Sequence, residues 1–276
     1  MASGREAGMP GAGSREARNI RAERAASAAG DELRGLLHDA DPRVLLALLE
    51  NPALDEPLLL LLLNRNDLPR DVLEEIGSRR EWMKSYRVKL RVVGHPHTPR
   101  LLALPLIKQL YLFDQVKLSL QAGTPAELRR AAEETVVAKL EQIPLGQKLT
   151  LARRASARVA GALLAEGLPR VVDAALDNAA MTESQILKVL AKDDLPGGVA
   201  GAIAGHRRWS LLPNVRLALV RQPQTPLARV LAFLPDLTVG DLEVLAGARS
   251  LSASLRQYIT AEVALRRSRR RTAGLP

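Results

Sequence analysis

Val88-Lys89-Leu90-Arg91-Val92-Val93-Gly94-His95-Pro96-His97-Thr98-Pro99 decides how this chain reads, because it returns as Val215-Arg216-Leu217-Ala218-Leu219-Val220-Arg221-Gln222-Pro223-Gln224-Thr225-Pro226. In both copies apolar residues recur at three- and four-residue spacing, the mark of a helix that buries one side. A proline then stops the helix, and two residues later Thr-Pro signals a new one. The threonine oxygen can accept an unpaired N–H, and proline at the first helical position lacks an N–H that would go unused anyway. A helix-end, helix-start joint has been written twice.

Outward from that joint the register holds without a gap. Arg43 pairs with Arg170, an offset of 127 residues, and the same offset pairs Asn51 with Asn178 and Leu68-Pro69 with Leu195-Pro196. It also pairs Val72 with Val199, Ile76 with Ile203, Arg80 with Arg207, Trp82 with Trp209, and Thr98-Pro99 with Thr225-Pro226. The homologous copies read as 42–114 and 169–241, with residues 126–168 in the interval between them.

The remaining punctuation is also helical. Asp41-Pro42 and Thr124-Pro125 carry the same start signal as the two Thr-Pro pairs, and Thr124 with Glu127 and Thr182 with Gln185 have capping-box spacing. Leu68-Pro69, Ile143-Pro144, Leu168-Pro169 and Leu195-Pro196 mark further boundaries, because the residue before proline disfavours helical angles. Pro105 predicts a kink or a restart inside residues 101–120. No stretch alternates as a strand does. Short helices recurring at fixed spacing are expected to stack, since one helix pair cannot bury its apolar face alone. The expected fold is therefore all-α, a solenoid of short stacked helices with an internal duplication. One domain is expected over 31–265, between a disordered or weakly helical basic tail at 1–30 and a basic C-terminal tail at 266–276.

Composition agrees. Of 276 residues 47% are hydrophobic but only 3% aromatic, so the core must be built from Leu, Val, Ala and Ile. The absence of cysteine excludes disulfides, thiolate metal sites and thiol nucleophiles, and suggests a reducing compartment; a cytoplasmic location is the expectation. The longest apolar run, Leu58 to Leu63, is far too short to span a bilayer. More than half of the net charge of +10 lies in residues 1–30 and 262–276, which weakens the case for a polyanion-binding face on the folded body.

At Leu48-Leu49-Glu50-Asn51-Pro52, Asp67-Leu68-Pro69 and Val92 to Pro99 the chain resembles the bacterial HEAT-like and leucine-rich-repeat-variant α-solenoids, including their uncharacterised families. The resemblance covers residues 31–255. It implies a curved right-handed stack of helices and, commonly, a binding role. Some members of the variant class carry a cysteine-ligated iron–sulfur segment, which does not transfer to a chain without cysteine.

Candidate partner-binding residues cluster near the two tryptophans. In the first copy they are Arg79, Arg80, Trp82, Lys84, Arg87, Lys89 and Arg91, and in the second Arg207, Arg208, Trp209, Arg216 and Arg221. An exposed Trp beside arginine can anchor a peptide or stack on a base. Its recurrence in both copies equally fits an indole that fills the space between helices. The cations could form a phosphate- or acid-binding stripe or an ordinary solvated face. His95 and His97 form a weak His-x-His pair whose counterparts are Gln222 and Gln224. Gly197, Gly198, Gly201 and Gly205 follow no strand, as a dinucleotide loop would require, and read instead as small residues allowing close helix approach. No nucleophile elbow, phosphate loop or zinc-protease pair is present. The Arg266–Arg271 cluster suits an anionic surface or a helix C-terminus equally. The leading expectation is a non-catalytic scaffold binding another protein, with no cofactor or metal. The alternative is a nucleic-acid-binding HEAT-like protein using the arginine clusters.

Overall fold

The computed structural model describes residues 12–248 and 250–273, with side chains over 19–248 and 250–269. The chain divides into two compact units, Met1–Thr135 and Val136–Pro276. Among the described residues every regular element is helical and there is no strand. In order, the first helices are α1 (Ala12–Ser27), α2 (Gly30–Leu36), α3 (Pro42–Leu49), α4 (Glu56–Leu62), α5 (Arg70–Ser78), a 3₁₀ turn at Trp82–Lys84, α6 (Tyr86–Gly94), α7 (Arg100–Gln109), α8 (Leu112–Leu120) and α9 (Ala126–Ala138). There follow a 3₁₀ turn at Leu140–Gln142, α10 (Leu145–Arg154), α11 (Ala157–Leu164), α12 (Pro169–Leu176), α13 (Glu183–Leu190), α14 (Val199–Gly205) and a 3₁₀ turn at Trp209–Leu211. The chain continues through α15 (Pro213–Arg221), α16 (Leu227–Phe233), a 3₁₀ turn at Leu234–Asp236, α17 (Val239–Ala246) and α18 (Ala253–Ala273).

The offset of 127 therefore maps α2–α9 onto α11–α18 element by element, and the interval at 126–168 is itself part of the repeat. Burial repeats with the same register. Val44, Leu45, Leu48, Leu59, Leu62, Val72, Leu73, Ile76, Val88 and Val92 are buried, as are Val171, Val172, Ala175, Ile186, Val189, Val199, Ala200, Ile203, Val215 and Leu219. In the first unit α1 packs on α3, α3 on α5 and α4 on α6; in the second α10 packs on α12, α12 on α14, α11 on α13 and α13 on α15. In these pairs a helix lies against the helix two places along, and consecutive helices such as α10 and α11 or α17 and α18 pack together as well, which is how short amphipathic helices bury a face that none could bury alone.

Those contacts are fastened at the helix ends. The last carbonyls of a helix have no partner within it, and a side chain from just beyond the helix two places on supplies the donor. The Asn51 amide nitrogen, 26 and 23 residues beyond its acceptors, donates to the Ala25 and Ala28 carbonyls at 2.8 Å each, while its oxygen accepts the Ala53 N–H. Asn178 does the same to Ala152, Ala155 and Ala180. Arg65 donates to the Leu37 and Asp39 carbonyls beyond α2, and Arg79 to the Leu49 carbonyl at the end of α3. Ion pairs repeat too. Arg21–Asp39 at 3.0 Å has its counterpart in Lys148–Glu166 at 2.7 Å, and where Arg79 pairs with Glu50 the second unit has a hydrogen bond between His206 and Asp177.

Several expected details differ. Helix α1 begins inside the segment read as a tail, and its end is held by buried Ala25 and Ala28 and by Asn51; residues 1–11 lie outside the described residues. The C-terminal tail is likewise entered by α18. Asp41 caps α3 as its sequence predicts. Thr98 and Thr225 do not cap: the helices start one residue later, with Pro99 and Pro226 in the extended N-cap position. Proline's fixed φ suits that position, and the threonines turn inward; the Thr98 hydroxyl donates back to the Val92 carbonyl. Buried Thr124 lies outside α9 and its hydroxyl makes no capping bond. Helix α7 runs through Pro105 without restarting, because the proline is exposed and water can take the carbonyl it leaves unpaired.

Candidate functional site

The twelve predicted residues separate into those the fold uses and those it displays. Trp209 is 1% exposed, and its indole N–H donates to the Leu176 carbonyl at 2.9 Å, fastening the end of α12. It is unavailable to a partner. In the first unit the equivalent carbonyl, Leu49, is taken by Arg79, whose guanidinium also holds Glu50 and Glu75. Relieved of that task, Trp82 lies half-buried against the core. Arg216 is committed as well: it donates to the Ser210 carbonyl at 2.6 Å, pairs with Asp236 at 2.8 Å and sits over the Phe233 ring. Trp209, Arg79 and Arg216 are therefore withdrawn as partner-binding residues, because their polar groups are spent inside the chain. Arg208 is exposed but stacked 4.2 Å from the centre of the Trp209 ring.

Arg80, Lys84, Arg87, Arg91, Arg207 and Arg221 are exposed, and Lys89 is half-buried. None of these seven pairs with a carboxylate among the described residues. Only Arg80 and Arg207 in this group occupy equivalent positions with the same side chain.

His95 is 3% exposed and serves the fold. Its Nε2–H donates to the Arg65 carbonyl at 2.7 Å and its Nδ1 accepts the His97 N–H at 3.2 Å. Gln222 repeats the pattern, donating to the Leu190 and Lys192 carbonyls and accepting the Gln224 N–H. The pair that looked dissimilar in sequence performs one task, since a neutral imidazole and a primary amide each offer one donor and one acceptor. Burial pushes the His95 pKa below its ordinary value, with the neighbouring His97 acting in the same direction. Beside it, Arg65 holds Asp67 through two bonds of 2.9 and 3.0 Å, which lowers that carboxyl to about 2.

A further device appears at the start of α8. In the second unit Thr238 and Asp241 form a complete capping box on α17. Tyr111 stands where Thr238 stands, and it has no hydroxyl within reach of its own helix end. The Tyr86 hydroxyl supplies one instead, accepting the Tyr111 N–H at 3.0 Å and donating to Asp114, with the two ring centroids 4.3 Å apart and the rings tilted by 32°. Burial and the carboxylate together push the Tyr86 pKa up to about 12.

The glycine-rich stretch opens α14, where Gly198 alone requires glycine, at φ 96°. Close helix approach is absent there: a Cβ on Gly201 would meet Pro226 at an ordinary 3.5 Å, whereas one on Gly77 would meet Leu102 at 2.4 Å. In the C-terminal cluster Arg266 donates to the Leu234 and Leu237 carbonyls and Arg267 pairs with Glu243; the side chains of Arg270 and Arg271 lie outside the described residues. Among the described residues no group of three or more His, Asp or Glu is arranged to hold a metal, and no helix is long and apolar enough to cross a membrane.

Part of the surface is not used by the repeated bonding. In the first unit the ends of α4 and α6 and the face of α8 enclose a cleft of about 280 Å3. Exposed apolar side chains stand on the equivalent helices α7 and α16: Leu101 (84% exposed) on the first, Leu227 and Leu231 on the second. No protein family, curated protein or solved structure matches the chain.

Proposed function

We propose that this chain is a HEAT-like α-solenoid that acts as a non-catalytic scaffold, binding another protein on the surface its stacked helices display. The observation that carries the proposal is the fastening of helix ends. Within each unit a donor from beyond one helix satisfies carbonyls at the end of the helix two places back, 23 to 33 residues away. That is the bonding a stack of helix pairs requires, and solenoids of this kind present extended binding surfaces. Asn51 and Asn178, polar residues shared by both copies, are consumed by it, while the shared Arg80 and Arg207 stay exposed. Binding then falls to residues the copies do not share and to outward apolar side chains such as Leu101 and Leu227.

The exposed pair Arg80 and Arg207 favours a second reading, in which nucleic acid is the partner. One experiment separates the two. Tagged full-length chain is purified at about 0.15 M salt, and binding to generic duplex and single-stranded nucleic acid is measured across salt concentrations. A single protein recovered in stoichiometric amount, with no nucleic-acid binding, supports the scaffold. Tight nucleic-acid binding that falls steeply on a log–log salt plot overturns it.

A further inference from the structure

The two copies control for one another. A residue with the same task at both positions of the 127-residue register belongs to the fold. A surface set that converges in one copy and is dissolved in the other is free of that obligation. The cleft of the first unit is such a set. Its floor is apolar, with Leu63 and Leu118 buried and Leu90 half-buried. Over that floor stand Arg91 and Lys117, both exposed, and the amides of Asn64, Asn66 and Gln121. Neither cation has a carboxylate partner among the described residues. The cleft's one carboxylate, Asp114, already accepts the Tyr86 hydroxyl.

At the equivalent positions of the second unit Arg91 becomes Ala218, Lys117 becomes Val244, Asn64 becomes Ala191, Asn66 becomes Asp193 and Gln121 becomes Ala248. Asp114 is retained as Asp241, in its capping role, and Gly94 becomes Arg221. Two cations against one carboxylate in the first unit thus stand against one cation and two carboxylates in the second. The apolar floor persists as Leu190, Leu217 and Leu245, because packing requires it. The polar rim does not, so packing does not account for it.

We infer that the cleft between α4, α6 and α8 receives a glutamate or aspartate side chain of the partner protein, together with an adjacent apolar residue. This rests on the protein-binding reading above. Two unpaired cations with amide donors beside them match a carboxylate, whose oxygens accept only. The leucine floor takes the neighbouring side chain, as binding pockets with an apolar body and a few placed polar groups do.

The test uses full-length chain and two fluorescein-labelled peptides, one repeating Leu-Glu-Glu-Leu and one with glutamine at each glutamate. Binding is followed by anisotropy. The glutamate peptide is expected to bind at least about tenfold more tightly than the glutamine peptide. The double variant Arg91→Ala with Lys117→Val is expected to lose that tenfold while keeping the wild-type urea midpoint, because both residues already occupy these positions in the second unit. Arg91→Gln with Lys117→Gln should behave alike. Equal affinity for the two peptides, undiminished binding by both double variants, or displacement by inorganic phosphate at concentrations where acetate does nothing would each overturn the inference. If a tagged double variant still captures the wild-type chain's partner protein at full yield, the cleft inference fails and the scaffold survives. If neither chain captures a protein and both bind nucleic acid, the scaffold itself fails.

Discussion

Replacing Asn51 by aspartate tests the helix-end fastening where its cost is most calculable. The two side chains have nearly the same shape, so no cavity opens and no packing is lost. Only the chemistry changes. The aspartate keeps an acceptor for the Ala53 N–H but has no N–H to offer Ala25 and Ala28, whose carbonyls now sit about 2.8 Å from the amide nitrogen. At 4% exposure Asn51 does not readily rehydrate. Each buried acceptor left unpaired costs about 1–3 kcal/mol, so two cost about 4 kcal/mol, before the repulsion between carboxylate and carbonyl dipoles is added. That is a large part of a typical domain's stability. With a urea slope of about 2 kcal/mol per molar the midpoint should fall by about 2 M, read by circular dichroism at a helical wavelength. Asn178→Asp should lower it by a similar amount, since its amide makes the same bonds at 2.8 and 3.1 Å. A shift below about 0.3 M in both variants, or a large shift in one with none in the other, would refute the idea that these residues fasten equivalent joints.

Three further outcomes follow from the same geometry. Tyr86→Phe keeps the ring contact but removes the hydroxyl that links Tyr111 to Asp114; it should cost about 1–2 kcal/mol in urea unfolding. Trp209→Phe removes the indole bond to the Leu176 carbonyl and part of a buried ring, and should cost about 2 kcal/mol, whereas Arg208→Ala should cost under about 1 kcal/mol. The His95 pKa is depressed in the fold, so below about pH 6.5 the unfolded chain binds a proton that the folded chain does not, and stability falls as pH falls towards the folded value. His95→Gln should flatten that part of the pH–stability curve without loss at pH 7.5, because Gln222 already makes the corresponding bonds.

The helical class and the 127-residue register could be read from letters because both are carried by identities: Pro, Asn, Trp and the apolar positions of a helix. What escaped the letters are equivalences of chemistry without identity. Arg21 with Lys148, Asp39 with Glu166, Glu50 with Asp177 and His95 with Gln222 perform paired tasks, yet no pair is an identity. For that reason the repeat stopped short of α1 when traced by sequence, and His95 looked unique. The partners of Asn51 lie 23 and 26 residues upstream, at backbone carbonyls that any residue could carry, so no motif announces them. The Thr-Pro pairs misled differently. Their capping potential is real, but Pro99 and Pro226 took the N-cap position themselves. Of the predicted binding residues, Arg91 reappears in the cleft; its companion Lys117 lies on α8, beyond the first copy as traced by sequence, where no tryptophan or repeat identity drew attention to it.

The scaffold reading and the cleft inference both depend on one structural unit having been used twice. Native-state hydrogen exchange, resolved to short peptides of the full-length chain, measures that directly. Amides of α3 and α12, of α5 and α14, and of α6 and α15 are expected to show matching protection at positions 127 apart, each maximal at the buried turns. Asn51→Asp should loosen α1 to α3 and leave α10 to α12 unchanged. Protection that keeps no common register between the two halves, or a loss from Asn51→Asp spread evenly over both, would contradict it.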